Sequence, residues 1–186
     1  MKNRLFMLTL GLMLFTGAQS QKYFTKAGKI TFNATTPSSP EKVTGVNRTA
    51  TCVIDTKSGA LQFVALMKGF EFERALMEEH FNENYVESDK YPRAEFKGTI
   101  TNNAAVDYTK DGTYAVKVTG KMTIHGETHD VTVDGKIVIQ GGKISAVADF
   151  PVKLEDYKIS IPGLVSDKVA KIASINVNCS LELFKG

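Results

Sequence analysis

The sequence predicts an all-β domain with one short helix, built from about eight antiparallel strands. Three observations carry this reading. Most of the chain alternates apolar and polar residues with a period of two, turn-forming triplets recur between the alternating segments, and one stretch near the middle switches to spacings of three and four. Strands of this number in one antiparallel domain form a sandwich or an up-and-down barrel. Periodicity does not choose between the two, although closure removes the unpaired edges that invite aggregation.

The chain opens with two cations, Lys2 and Arg4, then an apolar run over residues 5–15, then small residues at Gly17, Ala18 and Ser20. This is the pattern of a secretory signal peptide, with cleavage expected after Ser20. The run is shorter than the roughly 20 apolar residues a membrane span needs, and no later segment reaches that length, so no integral span is expected in the mature chain. No cysteine ends the run to carry a bacterial lipoprotein anchor. Residues 21–186 are read as a single domain, periplasmic or secreted. The leader holds two cations and no acid, so its removal lowers the formal charge from +3 to +1. No basic run remains, and the aromatics are not interleaved with arginine, which argues against nucleic acid as a partner.

The strands follow in order at residues 30–34, 49–55, 60–67, 94–101, 114–124, 131–139, 143–152 and 174–184. KSG at 57–59, KDG at 110–112, HGE at 125–127 and QGG at 140–142 supply turns. Residues 114–124 show the alternation most clearly: Tyr114, Val116, Val118, Met122 and Ile124 share one face, and Lys117, Thr119, Lys121 and Thr123 the other. Over residues 73–86, Leu76, Met77, His80, Phe81 and Tyr85 recur at helical spacing, and the helix stops before Ser88 and Pro92. A second helical turn is read at residues 165–172, after Pro162 and Gly163, and residues 35–42 read as a surface loop.

Cys52 shares its parity with Ala50 and Ile54, and Cys179 shares its own with Val177 and Leu181, so both thiols read as inward. In an oxidising compartment they are either bridged or two separate core residues. The inward positions offer an apolar set of Phe63, Phe70, Phe72, Met77, Phe81, Tyr85, Phe96, Val116, Val118, Met122, Ile124, Phe150, Tyr157, Ile159 and Ile161. These side chains either fill a core or line a ligand cavity. Eleven Phe, six Tyr and six Met with no Trp suit an adaptable lining.

No catalytic residue, cofactor or metal is expected, because the chain has no G-x-S-x-G elbow, H-E-x-x-H, C-x-x-C or Gly-rich phosphate loop. Glu79, His80 and Glu83 sit close on the helix at a spacing some metal sites use, but solvated helix-end residues give the same pattern. His125 and His129 flank the HGE turn. Counting parity places His125 on the water face and His129 on the apolar face, as a polar group near a cavity mouth. A metal-dependent enzyme using both is the remote alternative, since a shared ion needs the two rings on one face. The triplets at Asn33, Asn47 and Asn178 fit glycosylation acceptors and matter only in a eukaryotic secretory protein.

Between Phe70 and Ile100 the sequence runs FEFERALMEEHFNENYVESDKYPRAEFKGTI, followed by GTYAVKVTGKMTIHGETHDVTVDGKI and FPVKLEDYKISIP. The helix leading into Tyr91, Pro92 and Phe96, the strand ending at Met122 to Gly126 and the final strand together resemble the YceI-like family of secreted bacterial lipid-binding proteins. The resemblance spans residues 61–183. It implies a lipocalin-like antiparallel barrel, a polyisoprenoid or other long-chain amphiphile as ligand, and a carrier rather than an enzyme. The opening segment KYFTKAGKITFNATT departs from the family's usual first strand. A secreted structural or partner-binding β-domain without a ligand is the alternative.

Overall fold

The structure, a computed structural model, describes residues 21–184, so the expected leader lies outside the described residues. β1 (Lys22–Thr35), β2 (Thr44–Asp55), β3 (Ala60–Leu66), β4 (Phe70–Phe72), β5 (Arg93–Ile100), β6 (Gly112–Ile124), β7 (Glu127–Gln140), β8 (Lys143–Lys153) and β9 (Val169–Leu183) form one antiparallel sheet. Its order is β1-β9-β8-β7-β6-β5-β3-β2, and β2 returns to pair with β1. The sheet is therefore a closed barrel, which decides between the two architectures the periodicity allowed. Three-residue β4 pairs with Gly45–Asn47 of β2, while β3 pairs with the other half of that strand, Thr51–Ile54.

Alternation does the work of closing the barrel. Along β6, Val116, Val118 and Met122 are buried, and the lysines between them are exposed. Two tight corners have both central residues at positive φ, as type I′ hairpins require: His125 and Gly126 join β6 to β7, and Gly141 and Gly142 join β7 to β8. β1 is longer than the sequence suggested. Its register breaks on both sides of Gly28, and this irregularity interrupts the period of two over residues 22–29.

The expected helix over residues 73–86 is present in two parts. α1 (Ala75–His80) passes into a π-helical turn, Phe81–Tyr85, in which the Val86 N–H donates to the Phe81 carbonyl five residues back, at 2.9 Å. Leu76, counted on the apolar stripe, is 61% exposed. The second helical turn at residues 165–172 is corrected. A single 3₁₀ turn, Gly163–Val165, is followed by β9, because Val169 pairs with Thr35 and Ile172 with Lys153 across the sheet. Partners on both sides outweigh a weak local helical spacing.

Three irregular segments gather at one end of the barrel: residues 36–43, residues 67–92 with α1, and residues 154–168. Thr36 Oγ1 and Ser38 Oγ each donate to the Asp167 carbonyl at 2.6 Å, and Arg74 pairs with Glu41 at 2.5 Å, so the segments brace one another. The opposite end is closed by short turns and by Tyr108, whose hydroxyl donates to Asn103 Oδ1 at 2.8 Å. Burial pushes that phenol up to about 12.

Candidate functional site: an apolar cavity and its mouth

Because eight strands leave room inside for side chains or one small ligand, the side chains facing inward decide whether a space remains. Here one does. An inner cavity of about 190 Å³ lies in the barrel, walled by apolar groups from every long strand and by the thiols of Cys52 and Cys179. An outer recess of about 380 Å³ opens among the bracing segments, with Glu41, Arg74, His80 and Lys168 along its more polar wall. Phe32, Phe81, Val86, Leu154 and Ile159 line both spaces and stand between them.

Of the positions read from the sequence, Phe63, Phe70, Phe81, Phe96, Val116, Val118, Met122, Ile124, Phe150 and Ile159 face the inner cavity. Phe72, Met77 and Tyr85 face the outer recess only. Tyr157 and Ile161 line neither space. They lie in or beyond a 3₁₀ turn, Leu154–Tyr157, where strand parity no longer reports direction. Cavity walls the sequence reading did not single out include Ile30, Phe32, Leu61, Ile137 and Val177. Each sits on an inward face, but alternation separates inside from outside and says nothing about which inside residues border a void.

The partition between the spaces is aromatic. Phe81 is 6% exposed, and its ring centroid lies 5.6 Å from Phe32, 5.5 Å from Phe70 and 4.9 Å from Phe72, all tilted contacts. It projects from the junction of α1 with the π-helical turn, so its place depends on that segment and not on the barrel wall.

The two histidines do not share a ligand. His125 occupies the β6–β7 corner at φ 50°, where strand parity does not apply, and its side chain is only 9% exposed. That corrects its expected water-facing position. Its Nδ1 lies 2.9 Å from the Tyr157 carbonyl and its Nε2 2.6 Å from Glu87 Oε2, with the Tyr91 ring edge-on at 4.5 Å. Both bonds form when both ring nitrogens carry hydrogen, and together they clip the mouth segments at 87–91 and 154–158 to the hairpin. His129 does pair with inward Met122, as parity suggested, yet it is exposed, rests on Tyr157 and reaches the Asp156 carbonyl at 2.6 Å. His80 bonds Asn84 at 3.0 Å. Among the described residues no three His, Cys, Asp or Glu side chains gather to hold a metal ion.

The clip is also where the non-glycine residues at positive φ collect: Glu87, His125 and Lys158. Lys158 bonds Glu127 at 2.7 Å, which holds the Glu127 carboxyl below its usual range and raises the Lys158 ammonium. Burial, reinforced by the Asp156 charge, raises the Tyr157 phenol. Replacing His125 with asparagine keeps a residue suited to this turn while deleting the clip. The expected outcome is a loss of about 2 kcal/mol, the scale of hydrogen bonds to a charged group, in urea unfolding; a change within about 0.5 kcal/mol would show that the clip is idle.

A family model described as the YceI-like domain matches residues 21–181. The fold is similar to that of a polyisoprenoid-binding domain from Saccharophagus degradans, at 13% identity and a TM-score of 0.75, covering 89% of this chain and 100% of that one. It is also similar to BcnA of Burkholderia cenocepacia, at 18% identity and a TM-score of 0.65, covering 83% and 96%. A YceI protein of Campylobacter jejuni follows at 20% identity and 0.55, covering 78% and 87%. At these identities the likeness concerns the fold. The sequence matches no curated protein at a significant level. Among the described residues, no helix is long and apolar enough to cross a membrane.

Proposed function

Because this chain belongs to the YceI-like domain family, we propose that its barrel is a periplasmic or secreted carrier that holds a polyisoprenoid or another long-chain amphiphile. The observation that carries the reading is the apolar inner cavity adjoining a more polar recess at the mouth. A hydrocarbon chain gains about 0.8 kcal/mol for each methylene taken out of water, and an apolar wall offers nothing in return to a polar or charged ligand. The recess, with Arg74, Glu41 and Lys168 on its wall, suits the hydrated end of such a molecule. The name of the Saccharophagus degradans domain, polyisoprenoid-binding, lends the ligand class its support. The chain binds and releases in this reading; no covalent chemistry is assigned to it, and the family's fold is one of binding proteins. The proposed lining is the inward set above, without Tyr157 and Ile161.

Organic extraction of the purified protein followed by mass spectrometry is the test. The expected result is one chain-bearing molecule per protein. A preparation that is empty and takes up no polyprenol or fatty amphiphile when offered one would sink the proposal. N-terminal sequencing of protein secreted by a bacterial host checks the location, the expected first residue being Gln21.

A further inference from the structure

The barrel closes where its first, second and last strands meet, and both cysteines lie there. Cys52 on β2 is 1% exposed and Cys179 on β9 is 0% exposed. β1 runs between those strands in the sheet, and a side chain on it would ordinarily separate residues two strands apart. Here it does not. The β1 residue against Cys179 is Gly28, which pairs with Ala50, two positions from Cys52 on β2, and a Cβ there would lie 2.7 Å from Cys179 Sγ and 2.9 Å from the Ala50 carbonyl. β1 is irregular at this point: its pairing with β9 lapses between Phe24 and Lys29, and its register with β2 shifts on both sides of Gly28. β2 and β9 come within 8 Å of one another although β1 lies between them, and each thiol is perturbed first by the other.

We propose that Cys52 and Cys179 form a disulfide that crosses over Gly28 and ties the closing seam of the barrel. With both thiols inward on strands that come this close, and no side chain on Gly28 to part them, the seam is a place where a disulfide can close. The structure holds them as free thiols, each on the inner cavity wall. The neighbouring sulfur, and then burial, pushes the Cys52 thiol up, and the same contact lowers the Cys179 thiol, so Cys179 is the readier thiolate as the two strands dock.

The step needs an electron acceptor of the disulfide class, a protein disulfide donor or oxidised glutathione. Cys179 thiolate attacks one sulfur of that disulfide, its S–S bond breaks, and one oxidant thiol leaves. Cys52 loses its proton and attacks the mixed disulfide at Cys179, the protein S–S bond forms, and the second oxidant thiol leaves. Two protons and two electrons pass from the protein to the oxidant. Since both thiols are buried in the fold, the exchange belongs to folding, as β9 docks against β1. Its occurrence in the cell rests on the secreted location proposed above; the geometry does not, and refolding in vitro separates the two.

The experiment refolds the denatured, reduced protein in a glutathione redox buffer, then unfolds it in guanidine with an alkylating agent and records the intact mass. The expected result is a monomer about 2 Da lighter than the reduced chain with no alkylated cysteine, and a Tm about 10 °C lower after reduction. The Cys52→Ser/Cys179→Ser variant should show no response to reductant. Two alkylatable thiols in refolded protein, or cross-linked dimers alone, overturn the proposal. A disulfide after refolding but free thiols in protein taken directly from a bacterial host that makes it with its own leader would keep the geometric pairing and overturn the secreted location instead.

Discussion

Phe81→Ala is expected to lengthen the hydrocarbon chain that the barrel accepts. The inner cavity, at about 190 Å³, is smaller than the roughly 300–1,000 Å³ of ordinary small-molecule sites, while the outer recess at about 380 Å³ falls within that range. A long amphiphile must therefore use both, and Phe81 is, with Phe32, one of two aromatic members of the wall they share. In the wild type, affinity for a series of prenyl alcohols should rise with chain length and then level off. In the alanine variant the rise should continue, at about 0.8 kcal/mol per added methylene, or about fifteenfold for every two. Truncating a buried phenylalanine costs about 3–5 kcal/mol of stability where the site cannot collapse, so Phe81→Leu provides a gentler version of the same change. The quantity to compare is the chain length at the plateau, which a loss of stability alone does not move. An identical plateau in all three proteins would mean that Phe81 is packing and not a boundary.

How much of this could be read from the sequence depends on the length scale of each signal. Strand alternation is a repeated signal, and in β6 it placed Val116, Val118 and Met122 inside the barrel. Closure is not in the alternation; it rests on β1 pairing with β9 as well as with β2, and the β1–β9 contact joins the first strand to the last, which only the family resemblance pointed to. β4 is three residues long, too short to establish a period. The region 169–172 has a helical spacing but becomes strand because Thr35 and Lys153 offer partners. The helix could be read from Met77, Phe81 and Tyr85, but the π-helical turn that begins at Phe81 could not, since its hydrogen bonds leave no mark on residue spacing. The same limit hid Phe32: its inward direction follows from parity, but its ring contact with Phe81 joins β1 to a segment nearly fifty positions away. His125 fails for a third reason. A residue in the left-handed region at a hairpin corner leaves the two-residue period altogether, and the clip to Glu87 and the Tyr157 carbonyl follows from that corner's placement over the mouth.

Gly98→Ala and Gly120→Ala are expected to destabilise the barrel more than any other small substitution in its wall. The two glycines face each other as partners on β5 and β6. A Cβ on Gly98 would lie 2.3 Å from the Thr119 carbonyl oxygen and 2.5 Å from the Phe96 ring; one on Gly120 would lie 2.3 Å from the Lys97 carbonyl oxygen and 2.8 Å from that ring. The close partner at each site is backbone, so no rotamer change relieves it, and parting the strands breaks the ladder beside them. Overpacking in a well-filled interior typically costs 1–3 kcal/mol, and a clash held by backbone on one side and an aromatic ring on the other belongs at the upper end, about 3 kcal/mol. Phe96 also lines the inner cavity, so the ring has one direction in which to yield, into the ligand's space. Lipid uptake should therefore fall along with the urea midpoint. Gly163→Ala is the matched control: nothing lies within 4 Å of its Cβ position and its φ is not in the left-handed region, so its midpoint should stay within about 0.5 kcal/mol of wild type. Equal midpoints for Gly120→Ala and Gly163→Ala would show that β5 and β6 part without cost, and that the glycine pair is not what sets their approach.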